Sequence, residues 1–228
     1  MVRVKFLGHA AVLLQGTYTI IIDPYIEDNP YDISLKDIPK VDFILVTHGH
    51  KDHLGDAIAL SERDNAPIVA IYELAVWLES QGAKTIPMNF GGTLKVSEDL
   101  AITLVPAVHS GNVVEDKIYP TGNPGGFIVY LDGRRFYHAG DTMVFSDMQL
   151  FPELFGPIDV AFLPIGGLYT MDVKQAAYAA RFLRPRIVVP IHYNTWDVIR
   201  ANPEELKKLL EPVGIEVKIL KPLEEFEI

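Results

Sequence analysis

Four side chains that bind metal ions in proteins lie within six residues of this chain. The segment HGHKDH holds His48, His50, Asp52 and His53. It directly follows the apolar, β-branched run Val41–Thr47, which is typical of a strand covered on both faces. Alternation along an extended segment places His48 and His50 on one side, and Gly49 between them permits a sharp turn. Because ligand sites in α/β proteins lie at the carboxyl ends of strands, this segment predicts a metal site there.

The chemistry of these groups restricts what they bind. The chain has no cysteine, which excludes disulfides, thiolate nucleophiles and thiolate metal sites. Neutral imidazole and carboxylate suit zinc, manganese or iron. The alternative is a polar loop that only caps a helix. We disfavour it, because three histidines and one aspartate at this spacing are a costly arrangement without a ligand.

Three more acids or imidazoles follow predicted strands. They are His109 after Ile102–Val105, Asp141 after Phe136–His138, and His192 after Ile187–Ile191. Taken singly, a histidine or aspartate at a strand end is more often a turn residue. Together with HGHKDH, they indicate one site built from distant parts of the chain.

Composition and charge exclude several classes of protein. The chain has 228 residues, of which 49% are hydrophobic and 22% charged, as in a globular protein rather than a disordered, collagenous or coiled-coil one. The net charge of −10 is spread over both halves, which disfavours nucleic acid as a partner. No apolar run reaches the roughly 18 residues of a membrane span. Residues 2–6 (VRVKF) alternate like a strand, so we expect a cytoplasmic protein without a signal peptide.

The predicted elements form a mixed α/β chain with short connections. Strands are predicted at 2–7, 10–15, 18–22, 41–47, 67–72, 93–96, 101–105, 127–131, 134–138, 160–165, 187–191 and 216–220. Helices are predicted at 57–63, 73–80, 146–155, 173–183 and 203–210. Asp132-Gly133 predicts a type I′ hairpin turn, and Tyr25–Lys40 predicts a loop. No linker or repeat is visible, so residues 1–228 are expected to form a single domain.

The motifs also carry a family resemblance. THGHKDH, a later histidine, GDT and a histidine near the C-terminus resemble the metallo-β-lactamase fold superfamily. The segments LGHAA, IDP, ILVTHGHKDHLGD, YHAGDT, LPIGG and VVPIHYNT are similar to the UPF0173 metal-dependent hydrolase group, itself similar to the ascorbate-6-phosphate lactonase branch. The resemblance extends over nearly the whole chain. It implies a four-layer αβ/βα sandwich with the site along one edge of the two sheets.

The resemblance further implies two divalent metal ions. His48, His50 and His109 would bind the first, Asp52, His53 and His192 the second, and Asp141 would bridge both. Zinc is favoured, and manganese and iron remain alternatives. A hydroxide bridging the metals would cleave an ester, lactone or phosphodiester bond of a small molecule. Asp52 would be catalytic, orienting the nucleophile or accepting its proton.

Other residues and functions stay open at this stage. His9, His138 and Asn194 are candidates either for supporting the ligands or for contacting substrate, whereas Trp77 and Trp196 are expected to pack in the core. The rival functions are a ribonuclease Z-like phosphodiesterase, which needs an electropositive groove, an iron-centred redox enzyme, and a metal-dependent sensor without turnover. The related branch forms oligomers, so a homo-oligomer is also considered.

Overall fold

Two seven-stranded sheets, a two-stranded sheet of Val113–Val114 and Ile118–Tyr119, and six α-helices form the regular structure in the computed structural model, which describes all 228 residues. The strands are β1 (Arg3–Gly8), β2 (Ala11–Gln15), β3 (Thr19–Ile22), β4 (Phe43–Leu45), β5 (Ile68–Ile71), β6 (Thr85–Met88), β7 (Thr93–Lys95), β8 (Leu100–Pro106), β9 (Val113–Val114), β10 (Ile118–Tyr119), β11 (Gly125–Leu131), β12 (Arg134–His138), β13 (Val160–Pro164), β14 (Ile187–Ile191), β15 (Glu216–Val217) and β16 (Glu225–Glu227). The helices are α1 (Lys51–Leu54), α2 (Ala57–Asp64), α3 (Tyr72–Ser80), α4 (Phe151–Phe155), α5 (Val173–Leu183) and α6 (Pro203–Leu210).

The first sheet is built mainly from the N-terminal half and has the order β16-β1-β2-β3-β4-β5-β6. Strands β1 to β3 form an antiparallel meander, whereas β3 to β6 run parallel. Parallel neighbours need crossover connections, which α2 and α3 supply for β4, β5 and β6. The carboxyl end of β4 therefore opens at one edge of the sheet, where HGHKDH begins.

The second sheet has the order β15-β14-β13-β12-β11-β8-β7. Strands β12 to β15 are parallel, so β12 and β14 end at the same edge. Asp141 follows β12 and His192 follows β14, which brings both residues to that edge. The hairpin β11–β12 turns at Asp132 and Gly133, both with positive φ, as the predicted type I′ turn requires.

Two apolar layers explain why the sheets stack. Along β11, Phe127 and Val129 belong to a core that also contains first-sheet residues, whereas Ile128 belongs to a second core beneath α5 and α6. This period-two alternation means that one face of the second sheet packs on the first sheet and the other packs on helices. Because α2 and α3 cover the outer face of the first sheet, the architecture is the expected αβ/βα sandwich.

Several predicted elements differ in extent from the observed ones. The helix predicted at 146–155 is a 3₁₀ turn (Ser146–Leu150) followed by α4, and the strand predicted at 216–220 pairs only at Glu216–Val217. Four strands were not predicted, namely β6, β9, β10 and β16. Pro87 lowers the strand signal of β6, yet it is tolerated because β6 is an edge strand. The segment predicted as a loop contains only a 3₁₀ turn at Leu35–Asp37. None of the helices combines the length and the apolar character needed to cross a membrane.

Candidate metal centre

The HGHKDH segment turns from β4 into the short helix α1. His48 is buried and His50 half-buried, with Nε2 of His48 3.0 Å from Nδ1 of His50, so they share a side as predicted. Gly49 lies in a bend between them, as predicted, although its φ is not positive. A Cβ there would lie 2.8 Å from the Gly111 carbonyl oxygen and 2.8 Å from Thr121 Oγ1. Glycine is required for this close approach, which positions the two histidines.

All seven predicted ligands converge at one edge of the sandwich. Their potential ligand atoms form two groups, each lying within 4.8 Å. One group consists of His48, His50, His109 and Asp141, and the other of His9, Asp52, His53 and His192. These groups match the two predicted sites, except that His9 joins the second. Their assignment as metal ligands remains a prediction.

Asp141 occupies the centre between the two groups. Its Oδ1 lies 3.2 Å from Nε2 of His53, and its Oδ2 lies 3.2 Å from Nε2 of His192. Oδ2 also lies 3.5 Å from Nε2 of His109 and 4.0 Å from Nε2 of His48. A carboxylate in this position can contact ions on both sides.

The orphaned polar atoms of this cluster fit metal ions. Nε2 of His53, Nε2 of His192 and Oδ1 of Asp141 are buried and make no hydrogen bond of acceptable geometry. Buried polar atoms without partners are costly, and such an exception needs an explanation. A cation between the converging imidazole and carboxylate atoms would satisfy them together, and the donor set of nitrogen and oxygen suits zinc, manganese or iron.

Asp23 orients the site from behind, and sequence reasoning missed it. Its carboxylate is fully buried and accepts hydrogen bonds from the Thr47 amide (2.8 Å), the Thr47 hydroxyl (2.7 Å) and Nδ1 of His53 (2.7 Å). The bond from Nδ1 leaves Nε2 of His53, which lies beside Asp141, available to an ion. Carboxylates behind metal-binding histidines fix the tautomer and raise ligand basicity in this way. The available signal was the IDP motif, which contributed only to the family resemblance.

Thr47 extends the same network to His48. The Thr47 hydroxyl donates to Asp23 and lies 3.0 Å from Nδ1 of His48, so its oxygen accepts the Nδ1–H. Nε2 of His48 is then unprotonated and lies 3.0 Å from Nδ1 of His50 within the cluster. One buried carboxylate therefore sets the tautomers of two predicted ligands.

None of the three remaining candidates lines the pocket over the cluster. The His9 ring lies within hydrogen-bond distance of Asp52 and Thr195. His138 is fully buried, donates from Nε2 to the Ala10 carbonyl (2.8 Å) and accepts at Nδ1 from the Gly140 amide (3.1 Å). It therefore supports the backbone before Asp141. The side chain of Asn194 accepts from the Ala201 amide (2.9 Å) and closes the loop after His192.

The charges of the cluster stabilise ionised carboxylates. Burial alone raises the pKa of Asp52, but the charge of His53 and contacts from His192 and His9 outweigh it and hold the pKa far below the usual range. Burial likewise opposes a low pKa at Asp141, yet His192 and His53 lower it strongly. Conversely, burial alone lowers the pKa of His192, but Asp141 and Asp52 raise it to about 9. Without ions, therefore, protons on imidazole balance the two carboxylates.

A cavity of about 480 Å³ opens over the cluster. Its lining comprises Tyr25, His50, Lys51, Asp52, His109, Ser110, Asp141, Tyr169, His192 and Trp196. Trp77 is half-buried against the core as expected, but the expectation that Trp196 packs in the core was wrong. Trp196 is 38% exposed because the loop after His192, closed by the Asn194 amide and the Ile199 carbonyl, displays it beside the pocket.

Comparisons with known proteins decide the family. Residues 18–193 match the family model described as the beta-lactamase superfamily domain. The chain is 51% identical to a UPF0173 metal-dependent hydrolase of Pyrococcus abyssi, covering 100% of each chain, and 46% identical to one of Nanoarchaeum equitans, covering 99% of this chain and 100% of that one. The chain belongs to the UPF0173 metal-dependent hydrolases of the metallo-β-lactamase superfamily.

Solved structures of related proteins agree with this family assignment. The UPF0173 chain is 40% identical, with a TM-score of 0.90, to Igni18, a metallo hydrolase from the hyperthermophilic archaeon Ignicoccus hospitalis, covering 100% of this chain and 99% of that one. It is 33% identical, with a TM-score of 0.75, to a structure described as a putative metal-dependent hydrolase from Parabacteroides distasonis, covering 96% and 92%. The resemblance and the sandwich fold predicted from the motifs are thus confirmed.

Proposed function

We propose that this UPF0173 protein is a dinuclear hydrolase that cleaves an ester, lactone or phosphodiester bond of a small molecule. The observation that carries the proposal is the position of Asp141 between two groups of ligand atoms, with orphaned atoms of His53 and His192 directed at it. Two divalent cations bound there supply Lewis acidity, which makes hydroxide available near neutral pH and polarises the substrate oxygen. Zinc is the cation we favour.

Asp52 acts on the nucleophile by orientation rather than by taking its proton. It lines the pocket, and its carboxylate stays ionised because its pKa lies far below the usual range. A carboxylate with such a low pKa is a weak general base near neutral pH, because efficiency follows Brønsted behaviour. It accepts a hydrogen bond well, however, and so can hold a water molecule in line with the substrate carbon or phosphorus.

The residues of the pocket favour hydrolysis of a small molecule over the rival functions. Lys51 is the only Lys or Arg among its lining residues, which does not suit a nucleic-acid backbone. A sensor without turnover is disfavoured because all seven predicted ligands are present and converge. We further propose that residues 1–228 act as a single domain, which is supported by a core shared between both sheets. The cytoplasmic location and a homo-oligomer stay predictions.

Elemental analysis of the purified protein, followed by activity measurements, tests this function. We expect two metal equivalents per chain and hydrolysis of at least one ester, lactone or phosphodiester substrate after reconstitution with zinc, manganese or iron. One equivalent at saturation would contradict the dinuclear site. Two bound metals without turnover on all three substrate classes would favour the sensor.

A further inference from the structure

The part of the pocket away from the metal ligands is mainly aromatic. Tyr25, Tyr169 and Trp196 line it, together with Lys51 and Ser110. The Tyr25 hydroxyl donates to the Asp28 carbonyl (2.7 Å), so this side chain presents its ring to the pocket rather than a free hydroxyl. The Trp196 ring lies 6.4 Å from the Tyr25 ring and 4.8 Å from the His9 ring. Aromatic faces arranged in this way bind apolar groups well.

The cations near the pocket are already paired. Nζ of Lys51 lies 2.6 Å from Oδ2 of Asp28, and both side chains are largely exposed. Arg200, on the loop that carries Trp196, is held by Asp197 at 2.7 Å. The pocket therefore offers no unpaired Lys or Arg that could bind an anionic group of the substrate, if that group lay away from the bond that is cleaved. The net charge of −10 also disfavours such a group away from the metal ions.

Apolar side chains continue outside the pocket. Leu168 and Tyr169 are 67% and 55% exposed on the loop before α5, and Val198, two residues after Trp196, is 56% exposed. Val108 and Met143 are 46% and 50% exposed and flank His109 and Asp141 in the chain. The Met143 amide donates to the Val108 carbonyl (3.2 Å), so these two are neighbours. Exposed apolar residues grouped beside a pocket mark a binding surface.

We propose that the substrate is an uncharged ester or lactone that carries an alkyl chain, which packs on Trp196 and Tyr169. This inference rests on the proposed hydrolase function, and it excludes phosphorylated sugar lactones and phosphodiesters as the preferred substrates. The cavity volume lies within the roughly 300–1,000 Å³ of small-ligand pockets, so an alkyl lactone fits. Trp196 thereby determines specificity, whereas the metal ligands determine only how the bond is attacked.

Turnover of matched lactones by the zinc-loaded protein tests the inference. δ-Decalactone and δ-hexalactone share the ring and differ only in the length of the alkyl chain. We expect kcat/KM to be at least about ten-fold higher for δ-decalactone, because methylene groups buried against the aromatic wall add binding energy. Trp196→Ala should reduce this ratio about five-fold or more, mainly through KM, and Trp196→Phe should reduce it less. Trp77→Phe is the matched control, because Trp77 packs on Tyr119 outside the pocket, and it should preserve the ratio.

Binding measured by fluorescence separates the inference from the proposed function. In Trp77→Phe, Trp196 is the remaining tryptophan, since the chain has two. The uncharged ketone 2-undecanone is not hydrolysed. It should change the fluorescence emission of Trp196 at concentrations at which 2-butanone does not. This response without hydrolysis of any substrate would overturn the hydrolase function and support the apolar pocket. Three results would overturn the inference and leave the hydrolase function standing. The first is hydrolysis with a preference for gluconolactone 6-phosphate or a phosphodiester. The others are a δ-decalactone to δ-hexalactone ratio of kcat/KM that Trp196→Ala does not change, and no emission response to 2-undecanone.

Discussion

His9 and Asp52 form a hydrogen bond in the candidate metal centre, with Nε2 of His9 3.0 Å from Oδ2 of Asp52. Burial lowers the pKa of His9 to about 4, so the ring is neutral. Because the ionised carboxylate only accepts, Nε2–H of His9 donates to it. Nδ1 of His9 then accepts from the Thr195 hydroxyl at 2.8 Å. His9 thereby connects the HGHKDH segment with the loop after His192.

His9→Gln should lower kcat about ten-fold without loss of bound metal. Both ring nitrogens of His9 already have partners, so we expect it to position Asp52 rather than to bind an ion. Metal content by elemental analysis and steady-state kinetics on the same preparation check this expectation. A variant that loses one metal equivalent would instead show that His9 is a ligand of the second site.

Asp52→Asn should lower kcat by about 10²-fold or more, because the amide removes the charge that orients the nucleophile. The fold should persist, since Asp52 is 23% exposed and contributes little to either core. Circular dichroism and the thermal midpoint report folding, and kinetics at saturating substrate report turnover. Full retention of kcat would remove Asp52 from the mechanism.

Asp23→Asn should weaken metal affinity about 10- to 100-fold, which is typical when the partner of a metal-binding histidine is changed. Asparagine fills the same volume but has no charge to hold the proton on Nδ1 of His53. Competition with a chromophoric chelator measures the affinity. Asp42→Asn is the matched control, because Asp42 accepts from the Thr19 amide on an exposed surface. Equal affinities for both variants would refute the role assigned to Asp23.

The sequence predicted the site better than its surroundings. HGHKDH and three residues after strands were sufficient to select seven residues that the structure brings together, because parallel strands end at a common edge; their role as metal ligands stays a prediction. The helix α5 and the strands β12 and β14 were predicted with their observed bounds, since their apolar patterns are uninterrupted.

The features that could not be predicted depend on tertiary contacts. Asp23 is an ordinary turn residue by pattern, and only the packing of β3 beside β4 places it behind His53. Trp196 is a large aromatic residue of the kind that usually packs in a core, but the closed loop after His192 exposes it. The close approach of Gly111 and Thr121 to Gly49 could not be predicted either, since both residues lie more than 60 residues further along the chain.

Removal of metal by a chelator should lower the thermal midpoint and should become easier as the pH falls. Ions that bind only the folded state stabilise it by about 2.7 kcal/mol at 100 times Kd. In the metal-free protein the pKa of His192 is about 9 and that of His53 is raised, so protons compete with the ions below pH 9. Equilibrium dialysis at pH 7, 8 and 9 measures the affinity. An affinity independent of pH over this range would contradict proton competition.

His138→Gln should make the unfolding free energy of the metal-free protein less sensitive to a fall in pH. Burial lowers the pKa of His138, so the folded protein keeps it neutral, whereas the unfolded chain protonates it near pH 6.5. Its contribution is therefore present above pH 6.5 and is lost as the pH falls, at up to about 1.4 kcal/mol per pH unit. Urea unfolding at pH 8, 6.5 and 5.5 measures this slope for wild type and variant.

The variant should be less stable at pH 8, because glutamine replaces the hydrogen bonds to Ala10 and Gly140 imperfectly. The difference in unfolding free energy between the two proteins should then shrink as the pH falls. Other histidines contribute equally to both proteins, so the difference isolates His138. Parallel curves for wild type and variant would mean that His138 takes up a proton in the folded protein, and that the Gly140 amide does not hold its Nδ1 unprotonated.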